Sequence, residues 1–203
     1  MTQNLIAGIL VVWLASWPAS AQQKEEKGET KEAKIARALS AAPANVSEGA
    51  KVIDRDENGA ETVLREGSNG FTCFPGHPGA VGDATFCANK AALQWESDYL
   101  ALKPKPGNKE PGIEYMLLGG TDWSATDPNA TSGTPIKEPP HWMILWPFDS
   151  RVAGLPKVMR DAGTLVMFDG TPYAHLHICG SPWDGNEYHP GDRAVWTMAY
   201  ARP

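Results

Sequence analysis

The stretch KVIDRDENGAETVLR, residues 51–65, predicts a β-hairpin. Residues 51–54 and 61–65 are short segments suited to strands, and Asn58-Gly59 lies between them. Asn-Gly is the strongest short-range turn signal, because both residues accept the left-handed backbone of a tight hairpin turn. The hairpin therefore indicates an antiparallel sheet at the start of the folded region.

Outward from the hairpin, the chain predicts more strands and a few helices. Segments 29–42 and 86–102 contain helix-forming residues with apolar side chains at helical spacing. Residues 121–140 show little periodicity and are predicted to form a long loop, which in a compact domain is functional or mobile. Further strands are predicted at 71–74, 113–118, 141–146, 164–168, 173–179 and 194–201. The sum is an α+β fold, a mainly antiparallel sheet with two or three helices.

Residues 1–21 have the composition of a secretory signal peptide. They contain no charged side chain, residues 5–14 form an apolar run, and the small residues Ala19 and Ala21 fit a cleavage site. The run is too short to anchor in a bilayer core of roughly 30 Å. We therefore expect a periplasmic or secreted protein with no membrane span after cleavage. Residues 22–34 are predicted as a charged flexible leader, and residues 35–203 as a single globular domain.

The charge of the chain argues against some partners. Its formal net charge is −6, whereas nucleic acids and anionic membranes attract proteins with a basic face. We therefore expect no nucleic-acid partner, and a small molecule is the more suitable ligand class.

Three cysteines remain to be placed in the oxidising compartment that export implies. Cys73 and Cys87 lie close in sequence and enclose a turn-rich stretch, so we predict a disulfide between them. Two reduced, buried thiols are the alternative. Cys179 is then outside the disulfide, and a thiol in an exported protein calls for an explanation.

A metal site is one explanation. If residues 173–179 form a strand, His175, His177 and Cys179 share one face, because side chains alternate along a strand. Zn²⁺ accepts imidazole nitrogen and thiolate sulfur and needs three or four ligands. The alternative is that these residues are only the polar face of a strand whose Leu176 and Ile178 pack in the core. A further ligand could come from His77, Asp127, His141 or His189.

Several segments together resemble a family of exported bacterial proteins that has no assigned activity, over about residues 36–178. The resemblance implies a bacterial, extracytoplasmic setting and a single domain. In the family pattern the position of His177 is usually apolar. The segments that carry the resemblance are Ser40-Ala-Ala-Pro43, Asn69-Gly-Phe-Thr-Cys73, Pro139-Pro-His141 and Gly170-Thr-Pro-Tyr-Ala-His175. The polar and aromatic residues shared with the pattern, which we take as ligand-binding candidates, are Arg65, Asn69, Asp127, His141, Tyr173 and His175.

Three functions are compatible with these patterns. The leading hypothesis is an exported protein that binds a small ligand or a metal ion near His141, His175 and the loop around Asp127, with zinc as the candidate ion. The second is a periplasmic hydrolase with His175 or His141 as general base, with or without Zn²⁺. The third is a non-catalytic envelope protein that binds a partner through its tryptophans.

Overall fold

The structure is a computed structural model that describes residues 29–158 and 163–180. These residues form an α+β fold, as predicted, with a large and mostly antiparallel sheet. The helices are α1 (Lys31–Leu39), α2 (Ala44–Ser47), α3 (Lys90–Leu100) and α4 (Ser150–Ala153). The strands are β1 (Lys51–Arg55), β2 (Glu61–Arg65), β3 (Phe71–Phe74), β4 (Phe86–Asn89), β5 (Gly112–Met116), β6 (Gly120–Asp122), β7 (Ile136–Glu138), β8 (His141–Leu145), β9 (Gly163–Met167) and β10 (His175–Cys179).

Eight strands make the main sheet, in the order β2-β1-β3-β4-β5-β8-β10-β9. Neighbours are antiparallel except β1 and β3, which run parallel. The predicted hairpin is present as β1 and β2, with a register shift after Val52. Strands β6 and β7 form a separate two-stranded ribbon, which lies inside the segment predicted to be a long loop. That prediction was wrong at its two ends, because strands of three residues are too short to show a period.

The predicted helix at 86–102 is wrong in its first four residues. Phe86–Asn89 forms β4, which pairs with both β3 and β5. The helix begins only at Lys90, because the Asn89 side chain accepts a hydrogen bond from the Ala92 N–H at 2.9 Å. An asparagine in extended conformation that caps a free N–H in this way is a common helix start.

The predicted disulfide between Cys73 and Cys87 is present. The two residues lie directly opposite each other on β3 and β4, and both are fully buried. The bond therefore ties the middle of the sheet together next to α1, where the Cys87 sulfur lies 3.4 Å from the Ala38 carbonyl oxygen.

The two longer helices pack on opposite faces of the sheet. Cys87 and its neighbours pack with Ala38 of α1, whereas Ala88, which points the other way, packs with Ala92 and Trp95 of α3. Gly112 of β5 lets α3 approach closely, since a Cβ atom there would lie 2.6 Å from the Ala92 Cα atom. The face under α3 holds the candidate site.

Some predicted segments fall outside the described residues, namely the signal peptide at 1–21, most of the leader and the strand at 194–201. Helix α1 begins at Lys31, so residues 31–34, which the sequence assigned to the leader, are helical. Among the described helices, each is too short or too polar to cross a bilayer.

Candidate functional site

The histidines of β10 lie on its buried face. His175, His177 and Cys179 alternate with the half-buried Leu176 and Ile178. The structure therefore contradicts the alternative prediction, because the histidine face of β10 is the buried one and Leu176 and Ile178 lie on the half-buried face. Burial of a polar stripe is unfavourable unless its groups have partners, so each imidazole on this face calls for one.

Strand β8 adds a third histidine to the same face. Antiparallel pairing sets Met143 opposite His177 and His141 opposite Cys179. The rings of His141 and His177 stack with centroids 3.9 Å apart, and the His175 ring lies 6.4 Å from that of His177. Three imidazoles thus form one cluster, and each is at most 2% exposed.

The hydrogen bonds of this cluster leave ring nitrogens without a partner. The Nδ1–H of His141 donates to the Pro139 carbonyl at 2.8 Å, and that of His175 donates to the Tyr173 carbonyl at 3.0 Å. A carbonyl can only accept, so each Nδ1 carries the proton and each Nε2 carries a lone pair. Both Nε2 atoms are buried and have no partner within residues 29–158 and 163–180, and the same holds for both nitrogens of His177.

Glu138 completes a group that could hold a metal ion. It ends β7, three residues before His141, and is 6% exposed. One ligand atom from each of Glu138, His141 and His177 lies within 4.8 Å of the other two. A Cβ atom at Gly120 would lie 2.8 Å from the Ala84 Cβ atom, so the missing side chain lets β6, where Gly120 pairs with Glu138, approach Ala84.

Burial keeps the imidazoles neutral. Loss of hydration lowers the pKa of His141 and of His175 to about 4. Loss of hydration also lowers the pKa of His177, and repulsion from the His141 and His175 rings lowers it further. Neutral imidazoles are the form that ligates metals.

The same environment acts in the opposite direction on the carboxyl groups. Burial, followed by repulsion from Asp122 and Glu96, raises the pKa of Glu138 to about 8. Burial and the charges of Glu96 and Glu138 raise the pKa of Glu114 well above its usual value. A cation bound among these groups would reverse both shifts.

The histidine cluster borders a cavity of about 600 Å³ between α3, the sheet and the β6–β7 ribbon. His141, His175, Glu114 and Glu138 are part of its wall. Glu114 is 3% exposed, and its Oε2 atom has no hydrogen-bond partner in the described part of the chain. A cavity of this size suits a small molecule.

The other residues predicted from the sequence lie elsewhere. The Arg65 guanidinium donates to the carbonyls of Ser47 and Glu48, which fixes α2 against β2. The Asn69 amide donates to the Val46 carbonyl at 2.5 Å. These two side chains stabilise local structure and are not in the cavity wall.

Asp127 and Tyr173 also lie outside the cavity wall. The exposed Asp127 accepts a hydrogen bond from the Asn129 N–H at 2.9 Å, which holds a turn. The buried Tyr173 donates its hydroxyl to the Lys103 carbonyl at 2.9 Å and packs on Trp95. Tyr173 supports the site indirectly, because its own carbonyl orients His175.

The predicted zinc set of His175, His177 and Cys179 is not the group that the fold brings together most closely. Only His177 belongs to the group within 4.8 Å, and its companions come from β7 and β8. Cys179 is buried beside β8, in line with His141, and is not in the disulfide. Residues two apart on a strand share a face, but ligands on neighbouring strands can lie closer.

Sequence reasoning missed Glu114 and Glu138. A signal was present for each. Glu114 is a single charge inside a predicted buried strand, and Glu138 lies three residues before a histidine in a Pro-rich segment. An isolated carboxylate in a buried strand is costly unless it has a function or a partner.

No family model, curated protein or solved structure matches this chain.

Proposed function

We propose that this protein binds one divalent transition-metal ion, with zinc as the first candidate, through Glu138, His141 and His177. The observation that carries the proposal is the meeting of one carboxylate and two imidazoles, all buried, with ligand atoms within 4.8 Å of one another. The lone pairs of these imidazoles have no other partner among the described residues.

The distances are compatible with such an ion. Zinc binds imidazole nitrogen and carboxylate oxygen at about 2.0–2.2 Å, so its ligand atoms lie roughly 3–4 Å apart. The group needs to contract by less than about 1 Å from its present spacing to reach that range.

The surroundings of the ligands support the same assignment. A histidine that ligates a metal usually donates its other N–H to a carbonyl or carboxylate, which fixes the ring and the tautomer. His141 does so through the Pro139 carbonyl. Two imidazoles and one carboxylate are typical of zinc sites that keep a coordination position open, and of non-haem iron sites. Calcium and magnesium prefer oxygen ligands.

Isothermal titration calorimetry with zinc tests the proposal. Purified protein, stripped with a chelator, is expected to bind one equivalent. His141→Ala and Glu138→Gln should each weaken binding by about 100-fold or more, since each removes a direct ligand. His77→Ala is the matched control, because His77 is partly exposed and pairs with Asp83. No binding by the wild type, or equal loss in the control, would refute the proposal.

A second candidate function, metal-assisted hydrolysis, is favoured by one further observation. His175 is in the cavity wall, and its Nε2 lone pair has no partner. A metal in the neighbouring group would supply a Lewis acid and acidify a bound water. His175 Nε2 would then be the atom that accepts the proton, which is the general-base function predicted for it.

The hydrolase proposal has its own test. Zinc-loaded protein is assayed against p-nitrophenyl acetate and bis-p-nitrophenyl phosphate. His175→Gln should retain zinc but lose at least about 100-fold in turnover, since general-base catalysis contributes typically 10²–10⁴-fold. Turnover that is absent in the wild type, or unchanged in His175→Gln, would leave metal binding as the function and reject hydrolysis by this base.

A further inference from the structure

The wall of the cavity is strongly acidic. Among the described residues, seven carboxylate side chains line it, against a single arginine, Arg55. The Arg55 guanidinium is already engaged, because it lies 2.8 Å from a Glu61 carboxylate oxygen and over the Phe74 ring. Exposed carboxylates at the mouth are Asp56, Glu57 and Asp83, and those further inside are Glu96, Glu114, Asp122 and Glu138. The metal group accounts for Glu138 alone.

Glu114 is the inner carboxylate that most needs a partner. It projects from β5 onto the face that carries His177, with Met143 between them in the register. Its Oε2 atom is buried and makes no hydrogen bond to any residue that the structure describes, although the side chain is in the cavity wall. Arg55 partly offsets the effect of burial on the pKa of Glu96, whereas the described residues that act on Glu114 only raise its pKa.

Aromatic rings form much of the remaining wall. Trp95 and Tyr99 stack with ring centroids 5.4 Å apart, and Phe168 stacks on Tyr99 at 6.0 Å. Phe74 and Phe86, also in the wall, stack at 4.7 Å. Aromatic faces attract cations and also accept apolar groups. Carboxylates with aromatic rings are therefore suited to an ammonium group on an apolar body.

We infer that this cavity admits organic ammonium compounds, primary amines with an aromatic or aliphatic body, and that the Glu114 carboxylate receives the ammonium group. The inference deepens the proposed function and rests on it in one respect, that amine and metal occupy the same cavity. Burial raises the pKa of Glu114 while the cavity is empty, and an ammonium group would lower it again by favouring the carboxylate form. Phosphates and carboxylates are excluded, because their charge would have to be buried beside carboxyl groups while Arg55 is already engaged.

Three probes of the same shape and different charge test this. 2-Phenylethylamine, 2-phenylethanol and 3-phenylpropionate are titrated into the metal-free protein with EDTA present, so that the amine cannot bind through zinc. Ligand-observed NMR and Trp fluorescence report binding. We expect the amine to bind at least about tenfold more tightly than the alcohol, and the carboxylate not to bind. Equal affinities, or no binding of the amine, would overturn the inference.

Two variants separate this inference from the metal proposal. Glu114→Gln keeps the size of the side chain and should weaken amine binding by about tenfold to 100-fold, because the charged acceptor is lost. Glu66→Gln is the control, because Glu66 is an exposed carboxylate outside the cavity wall, and it should change amine binding by less than about twofold. An unchanged affinity in Glu114→Gln would overturn the inference. His141→Ala should lose zinc and retain the amine, so failure of either proposal is visible without the other.

Discussion

Replacement of His177 by leucine should make the metal-free protein more stable. The His177 side chain is fully buried, and neither of its nitrogens has a partner among the residues that the structure describes. An unsatisfied buried polar group costs about 1–3 kcal/mol, whereas a shape change of this size in a core costs less than about 1.5 kcal/mol. We therefore expect His177→Leu to raise the free energy of unfolding by about 1 kcal/mol, or Tm by about 2–4 °C.

Zinc should reverse the order of stability, so that the wild type becomes more stable than His177→Leu. At a free concentration 100 times Kd, a ligand stabilises the folded state by about 2.7 kcal/mol, whereas a variant without the site gains nothing. Urea denaturation with EDTA and then with zinc measures both effects, and His77→Leu serves as the exposed control. If His177→Leu lost stability in EDTA as a large core deletion does, our account of the unpartnered imidazole would be refuted.

Three further predictions concern the fold around the site. Asp98→Asn should lower the free energy of unfolding by about 2–3 kcal/mol, because buried Asp98 accepts hydrogen bonds from Lys103, Gly107 and Gln94. The bond from Lys103 above all lowers the pKa of Asp98, so its stabilising effect is complete above the unfolded pKa and is lost as the pH falls towards the folded pKa. The urea midpoint should therefore fall less between pH 7 and pH 3 in the variant than in the wild type. Reduction of the Cys73–Cys87 bond should cost about 3 kcal/mol in the chain-entropy model, measured as the difference between oxidised and reduced protein. Gly112→Ala should lower stability by about 1–3 kcal/mol in thermal melts, since its Cβ would force α3 away from β5; an unchanged Tm would contradict the close approach.

Local sequence signals were enough to predict much of the sheet. The Asn58-Gly59 turn predicted the β1–β2 hairpin, and the apolar segments at 141–146 and 164–168 correspond to β8 and β9. The error at Phe86–Asn89 has a physical reason. Four residues with a mixed pattern join a helix without a break, and only the pairing of β4 with β3 and β5 decides the extended conformation.

The candidate site was less predictable. Alternation along one strand correctly grouped His175 and His177 on one face. It could not show which neighbouring strand supplies Glu138 and His141, because strand order depends on contacts distant in sequence. It also could not show that the histidine face is the buried one, since an apolar set at Leu176 and Ile178 is the usual core face. The export signal and the family resemblance stay predictions.

Diffraction from zinc-soaked crystals at the zinc absorption edge tests the central claim most directly. The account predicts one strong anomalous peak about 2 Å from a Glu138 carboxylate oxygen, from His141 Nε2 and from a ring nitrogen of His177. The peak should disappear in His141→Ala crystals soaked in the same way. A crystal in which zinc is fully occupied at other residues, with no anomalous peak between these three side chains, would contradict the account.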